Sequence, residues 1–184
     1  KLGAFIGSQN GQSIEARDVV LFGFGRIGRL AARELIKQAG KGQQLRLKAI
    51  VVRNDTIEQL EKRAALFKMD SVHGAFDGSV ELDAENRCLI VNGQRIQMIS
   101  APSPDQVDYT EYGINNAILV DNTGVYTNRE ALSVHLKAKG ISKVLLTAPG
   151  KEIPNIVYAV NNQDIDLDNE TIFSAASCTT NAIS

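Results

Sequence analysis

Cys178 stands in the run Ser-Ala-Ala-Ser-Cys-Thr-Thr-Asn from Ser174 to Asn181, a thiol set among hydroxyls where an extended segment turns into a helix. Thr171-Ile172-Phe173 reads as the end of a strand, and Ser177 and Thr179 are types that cap helix N-termini, so the spacing predicts a helix starting at about Cys178. A sulfur there faces the positive end of the helix dipole and unpaired backbone N–H groups, which favour thiolate over thiol. Cys178 is therefore a candidate nucleophile, the alternative being a buried structural cysteine.

A second motif lies far upstream. Asp18 to Phe22 is a short apolar run of strand type, followed at once by Gly23-Phe24-Gly25-Arg26-Ile27-Gly28 and then by a run of helical spacing from Leu30 to Ile36. This is a GxGxxG turn between a strand and a helix. Gly23 permits the tight turn, Gly25 lets a pyrophosphate approach the backbone, and Gly28 lets helix and strand pack closely. A second apolar strand, Leu47 to Val52, leads into Arg53-Asn54-Asp55, and Asp55 falls where such a fingerprint places an acid for the adenosine ribose hydroxyls. The pair of features favours dinucleotide binding over a plain glycine loop.

The elements that must position these groups alternate. Helices are expected at about Thr56 to Phe67 and Asn128 to Lys139, the latter ending at Gly140, and further strands at Ala117 to Val120 and Lys143 to Leu146. A hairpin region from Ala75 to Ile99 interrupts them, with Arg87 to Val91 turned by Asn92-Gly93 into Arg95 to Ile99. The alternation predicts an α/β fold of Rossmann type, a doubly wound, mostly parallel sheet with an inserted antiparallel hairpin. Cys88, inside that hairpin, reads as a small apolar residue.

A dinucleotide fold that ends in an activated cysteine points to one chemistry: the thiolate adds to an aldehyde, hydride leaves to a nicotinamide, and a thioester remains for a second nucleophile. Phe24 to Gly28, Asn54-Asp55, Phe67 to Gly74, Val91-Asn92-Gly93, Thr123 to Tyr126, Thr147-Ala148-Pro149 and Ser177 to Asn181 occur in the order of the phosphorylating glyceraldehyde-3-phosphate dehydrogenases. The chain resembles that family from Asp18 to Ser184, and Ser-Cys-Thr-Thr-Asn is its most specific element.

The resemblance implies roles at matching positions. Cys178 is the nucleophile, with Ser177 and Thr179 binding the attacking inorganic phosphate. Arg26 and Ile27 turn their backbone to the cofactor pyrophosphate, Asp55 holds the ribose, and Thr123, Gly124 and Thr147 are further cofactor contacts, although threonines at strand ends also serve turns. It implies NAD as cofactor, a phosphorylated aldehyde and inorganic phosphate as substrates, a homotetramer, and a second, α+β catalytic domain beyond Ser184 that holds the general base and the substrate-phosphate ligands. Some positions depart from the family. Phe22 replaces an asparagine, Pro102 an arginine near the adenine, Ala182 a second cysteine, and Thr56 a proline whose replacement by a hydroxyl brings NADP in beside NAD.

Residues 1–17 read as an extension, 18–177 as the dinucleotide domain and 178–184 as the start of the catalytic helix. The 184 residues are 43% hydrophobic and carry 20 basic and 21 acidic side chains, which argues against a dedicated nucleic-acid or membrane surface. No apolar run approaches the roughly 20 residues of a membrane span. Two cysteines make no disulfide framework, so a reducing cytoplasm is the expected compartment, and no metal site is expected. Neither His73 nor His135 has a motif that makes it the base. Three alternatives stay open: a paralogue acting on erythrose 4-phosphate, a cysteine-dependent reductase of acyl phosphates, and a nucleotide-binding module without catalysis, for which an activated Cys178 would have no use.

Overall fold

The computed structural model describes residues 16–39, 45–166 and 168–184. Most of the expected N-terminal extension, residues 1–15, lies outside the described residues. The chain runs β1 (Arg17–Phe22), α1 (Arg26–Gln38), β2 (Leu45–Val52), α2 (Ile57–Lys68), β3 (Met69–Asp70), β4 (Gly74–Ala75), β5 (Val80–Asp83), β6 (Cys88–Val91), β7 (Gln94–Ser100), β8 (Ala117–Asp121), α3 (Arg129–Ser133), β9 (Ile141–Leu146), β10 (Ile172–Ser174) and α4 (Cys178–Ile183).

Eight strands form one sheet in the order β10-β9-β8-β1-β2-β7-β6-β5, while β3 and β4 pair separately. β10 through β7 are parallel, and β6 and β5 extend that edge antiparallel. β1 sits in the middle and is buried on both faces, which is why Val19 to Phe22 is uniformly apolar instead of alternating. The path goes from β1 outward through β2 to β7 and then returns to the other side of β1 at β8. That reversal is the topological switch point at which such sheets bind ligands.

Each face of the sheet has its own core. One packs Val19, Leu21, Leu47, Ile50 and Met98 under α1 and α2, which contribute Ala32, Ile36, Leu60 and Phe67. The other packs Val20, Phe22, Val51, Leu119 and Val144 under Leu132, Ala138, Tyr109 and Ile114. Alternate residues of β1 therefore feed opposite cores, and the sheet is doubly wound.

The expected hairpin is inserted in the main sheet: β7 lies parallel beside β2, pairing Ile50 with Met98 and Val52 with Ser100, and the antiparallel strands extend the sheet from there. One element differs from expectation. The helix expected to run from Asn128 to Lys139 keeps its α form only to Ser133 and tightens into a 3-10 turn over Val134–Lys137. Ser133 bonds back to the Glu130 carbonyl at 2.6 Å, the local competition that weakens helix interiors. The connection from β9 to β10 has no α-helix among the described residues. It is tied down where Arg129, at the start of α3, donates twice to Glu170 (3.0 and 2.8 Å) just before β10. These bonds hold the Glu170 carboxyl down at about 2. Among the described residues no helix is long and apolar enough to cross a membrane.

Candidate active site

The candidate residues come from five distant stretches of sequence. Cys178 follows β10, Thr147 follows β9, Thr123 follows β8, Gly23 follows β1, and Asp55 follows β2. In the sheet these are five consecutive parallel strands, so the candidates line up along one carboxyl edge in that order. Three strand spacings, about 14 Å in all, separate β10 from β1.

The glycine turn has the form its sequence requires. Gly23 adopts φ +93°, and its N–H donates to the Val51 carbonyl at 2.9 Å, locking the end of β1 to β2. Gly25 caps α1 with no side-chain bond, and the first turn of the helix carries no acid. The amides of Arg26, Ile27 and Gly28 thus start a 13-residue helix without helical acceptors and with Gly25, Arg26 and Ile27 exposed. A Cβ on Gly25 would touch nothing within 4 Å, which leaves that space to a ligand, whereas a Cβ on Gly28 would meet the Gly23 carbonyl oxygen at 2.3 Å. An exposed helix N-terminus with free amides and no acid in its first turn is the kind of place that suits a pyrophosphate. The helix is braced from below by Asp70, whose carboxylate takes the amides of Val72 and His73 (both 3.0 Å), the His73 ring (3.1 Å) and Arg29 (3.2 Å). Those backbone bonds, above all, hold Asp70 well below the usual carboxylate range. His73 is thereby committed to its own loop.

A cleft of about 380 Å³ opens above this turn, lined by Gly23, Arg53, Arg63, Pro102, Thr123 and Tyr126 among others. Asp55 is beside it but not on its wall, and its carboxylate is engaged by the Arg87 guanidinium. Thr147 does not line the cleft either. Arg53 and Arg63 on the cleft wall and Arg87 against Asp55 are charged groups beside the candidate site that the sequence motifs do not single out. Arg53 had a signal in its place just after β2, next to Asp55; Arg87 had none, because the contact spans 32 residues.

Both threonines hang on one buried acid. The Thr123 amide and hydroxyl donate to Asp121 Oδ1 (both 2.8 Å), and the Thr147 amide and hydroxyl donate to the Asp121 carbonyl (both 3.0 Å). The other carboxylate oxygen of Asp121 pairs with His135 Nε2 at 2.8 Å, with both side chains fully buried. Phe22 and Tyr126 close over that imidazole edge-on, with ring centres 4.8 and 5.2 Å away. The aromatic at position 22 therefore belongs to the core beneath the threonines.

At the end of the row, Ser177 caps α4 by accepting from the Thr180 amide at 2.9 Å and shares a bond with the Thr180 hydroxyl at 2.7 Å. Asn181 donates to the carbonyls of Ala175 and Ser177, both at 2.9 Å. Ser174 anchors the approach by donating to the Ala148 carbonyl at 2.6 Å. Cys178, the first residue of α4, and Thr179 are exposed, while Cys88 is buried. Iodoacetamide should therefore modify Cys178 at least about tenfold faster than Cys88 in the folded protein, because alkylation needs an accessible thiolate. Peptide mass spectrometry over a time course measures this, and equal rates would remove the basis for a reactive Cys178.

Residues 17–129 match the family described as glyceraldehyde 3-phosphate dehydrogenase, NAD binding domain. Over all 184 residues the chain is 55% identical to a glyceraldehyde-3-phosphate dehydrogenase-like protein of Pseudomonas aeruginosa, covering 40% of that protein. It is 40% identical over 161 residues to the glyceraldehyde-3-phosphate dehydrogenase of Monascus purpureus, or 88% of this chain and 44% of the relative. With that of Clostridium pasteurianum it shares 36% over 166 residues, or 90% and 46%. The chain thus spans less than half the length of these curated relatives. With the glycine turn at the switch point and the matched segment running from β1 into α3, the chain belongs to the glyceraldehyde-3-phosphate dehydrogenase family and carries its NAD-binding domain.

Proposed function

We propose that the full-length protein oxidises glyceraldehyde 3-phosphate with inorganic phosphate and NAD to 1,3-bisphosphoglycerate, as a cytoplasmic, homotetrameric enzyme of glycolysis. The observation that supports this best is the row of candidates along one sheet edge, from the glycine turn after β1 to the thiol after β10.

In this reading Cys178 attacks the aldehyde carbon as thiolate, forming a thiohemiacetal. The dinucleotide, when bound, supplies the hydride acceptor. Loss of hydride from the carbon and of the hydroxyl proton to the general base leaves a thioester on Cys178, which inorganic phosphate cleaves, forming the acyl phosphate and freeing the thiolate. In the same reading the α1 N-terminus holds the pyrophosphate, and Thr123 and Thr147, each held by bonds to Asp121, are taken as further cofactor contacts. Ser177 and Thr179 flank the thiol as phosphate ligands. His135 is sealed in the core and His73 is bonded to Asp70, so neither supports a role as general base. The base and the substrate-phosphate ligands are assigned to the part of the protein beyond Ser184.

The full-length protein should reduce NAD in the presence of glyceraldehyde 3-phosphate and phosphate, while this chain alone should not. Following reduced-cofactor absorbance for both proteins checks it. Robust turnover by the 184-residue chain would put the base among residues read as structural.

A further inference from the structure

Positive charge gathers at one end of the cleft in excess of what NAD requires. The strand order places the residues after β2 and β7 on the side of β1 away from β8, next to Asp55 and therefore at the adenosine end. Arg53, at the end of β2, and Arg63, from α2, both line the cleft there beside Pro102, and no acidic side chain shares the lining. Neither arginine has an ion-pair partner among the described residues. Arg63 Nε is buried without a hydrogen-bond partner, an arrangement that is costly until an acceptor arrives. Burial also lowers the Arg63 pKa, because desolvation disfavours the charged guanidinium.

Asp55 would ordinarily exclude a phosphate from the ribose by repulsion. Here its carboxylate is held by Arg87, so three guanidinium groups stand against one carboxylate at this end. Thr56, the residue after it, is exposed and starts α2 without using its hydroxyl as a cap. The pyrophosphate does not account for these charges, since it sits on the α1 N-terminus after β1.

We propose that the adenosine end of the cleft is a site for a phosphate monoester on the ribose, so that dinucleotides bearing a 2′-phosphate bind here as well as NAD. Arg53 and Arg63 contact the phosphate, Thr56 donates its hydroxyl, and Arg87 cancels the repulsion from Asp55. A guanidinium suits this because it presents paired donors to phosphate oxygens. The inference rests on the reading of the cleft as the dinucleotide seat.

Isothermal titration of the full-length protein with 2′,5′-ADP and with 5′-AMP, which differ only in the 2′-phosphate, separates the two readings. The expected result is 2′,5′-ADP binding at least about tenfold tighter than 5′-AMP, one good charge-assisted contact being worth that much. Arg63→Met should bring the ratio close to one. Arg87→Ala should also reduce it, and Asp55→Ala added to Arg87→Ala should restore part of the loss. Inorganic phosphate titrated alone should bind only weakly. Equal affinities in the wild type, a ratio untouched by both arginine substitutions, or phosphate binding as tightly as 2′,5′-ADP would each overturn the 2′-phosphate site. Failure of both nucleotides to bind would overturn the dinucleotide seat as well.

Discussion

Cys178→Ser in the full-length protein should lose nearly all phosphate-dependent aldehyde oxidation, a fall on the order of a thousandfold or more, because a neutral hydroxyl is a far poorer nucleophile than a thiolate. The fold gives this loss a clean meaning. Cys178 is exposed, and its sulfur makes no hydrogen bond among the described residues. The bonds that shape the α4 start come from Ser177, Thr180 and Asn181 instead. Serine fits the same space, so thermal unfolding should be unchanged while initial rates collapse. A variant that keeps more than about a tenth of the wild-type rate would show that the thiol is not the attacking group. Loss of rate together with a lowered unfolding temperature would assign Cys178 a structural part that its exposure argues against.

Gly28→Ala should destabilise the domain by about 3 kcal/mol or more and abolish dinucleotide binding. The added methyl carbon would lie 2.3 Å from the Gly23 carbonyl oxygen and 3.2 Å from its carbon. That carbonyl cannot retreat cheaply. Gly23 is held at φ +93° by its bond to Val51, and its own Cα faces Thr123, where a Cβ would come within 2.9 Å of the side chain. The clash therefore has to displace α1 or pull the β1 turn from β8. Gly25→Ala is the informative contrast, since its methyl would meet no protein atom within 4 Å. It should fold with wild-type stability yet bind NAD more weakly, because the space it fills is the ligand's. Denaturant unfolding and calorimetric titration of the two variants measure both effects. Wild-type stability for Gly28→Ala, or wild-type affinity for Gly25→Ala, would contradict the packing and the ligand assignments respectively.

Much of this was legible in the residues because the determinants are short-ranged. A run of buried-strand residues, three glycines at fixed offsets and a helical repeat specify β1, its turn and α1 within 20 or so positions, since each constraint acts on neighbouring backbone. The same holds for Ser177 as the cap of α4, a bond three residues long. The α3 segment departs from its sequence pattern for a related reason. Its helical pattern is present, but Ser133 back-bonds and the burial of His135 against Asp121 favours a tighter turn than propensity alone indicates.

Residue identity and spacing determined the α/β class, the glycine turn and the list of groups with chemistry in them. Their order in space was left to the sheet. Only the return of the chain to β8 after β7 sets Gly23 between Asp55 and Thr123 and draws Thr147 and Cys178 into the same row, because which strands become neighbours depends on covering two apolar faces at once. The tertiary structure likewise decided that Arg87 reaches Asp55 and that Asp121 carries both threonines. Contacts of that kind join segments whose separation along the chain leaves no periodic trace, and they exist only once strand register has brought the side chains within hydrogen-bonding distance.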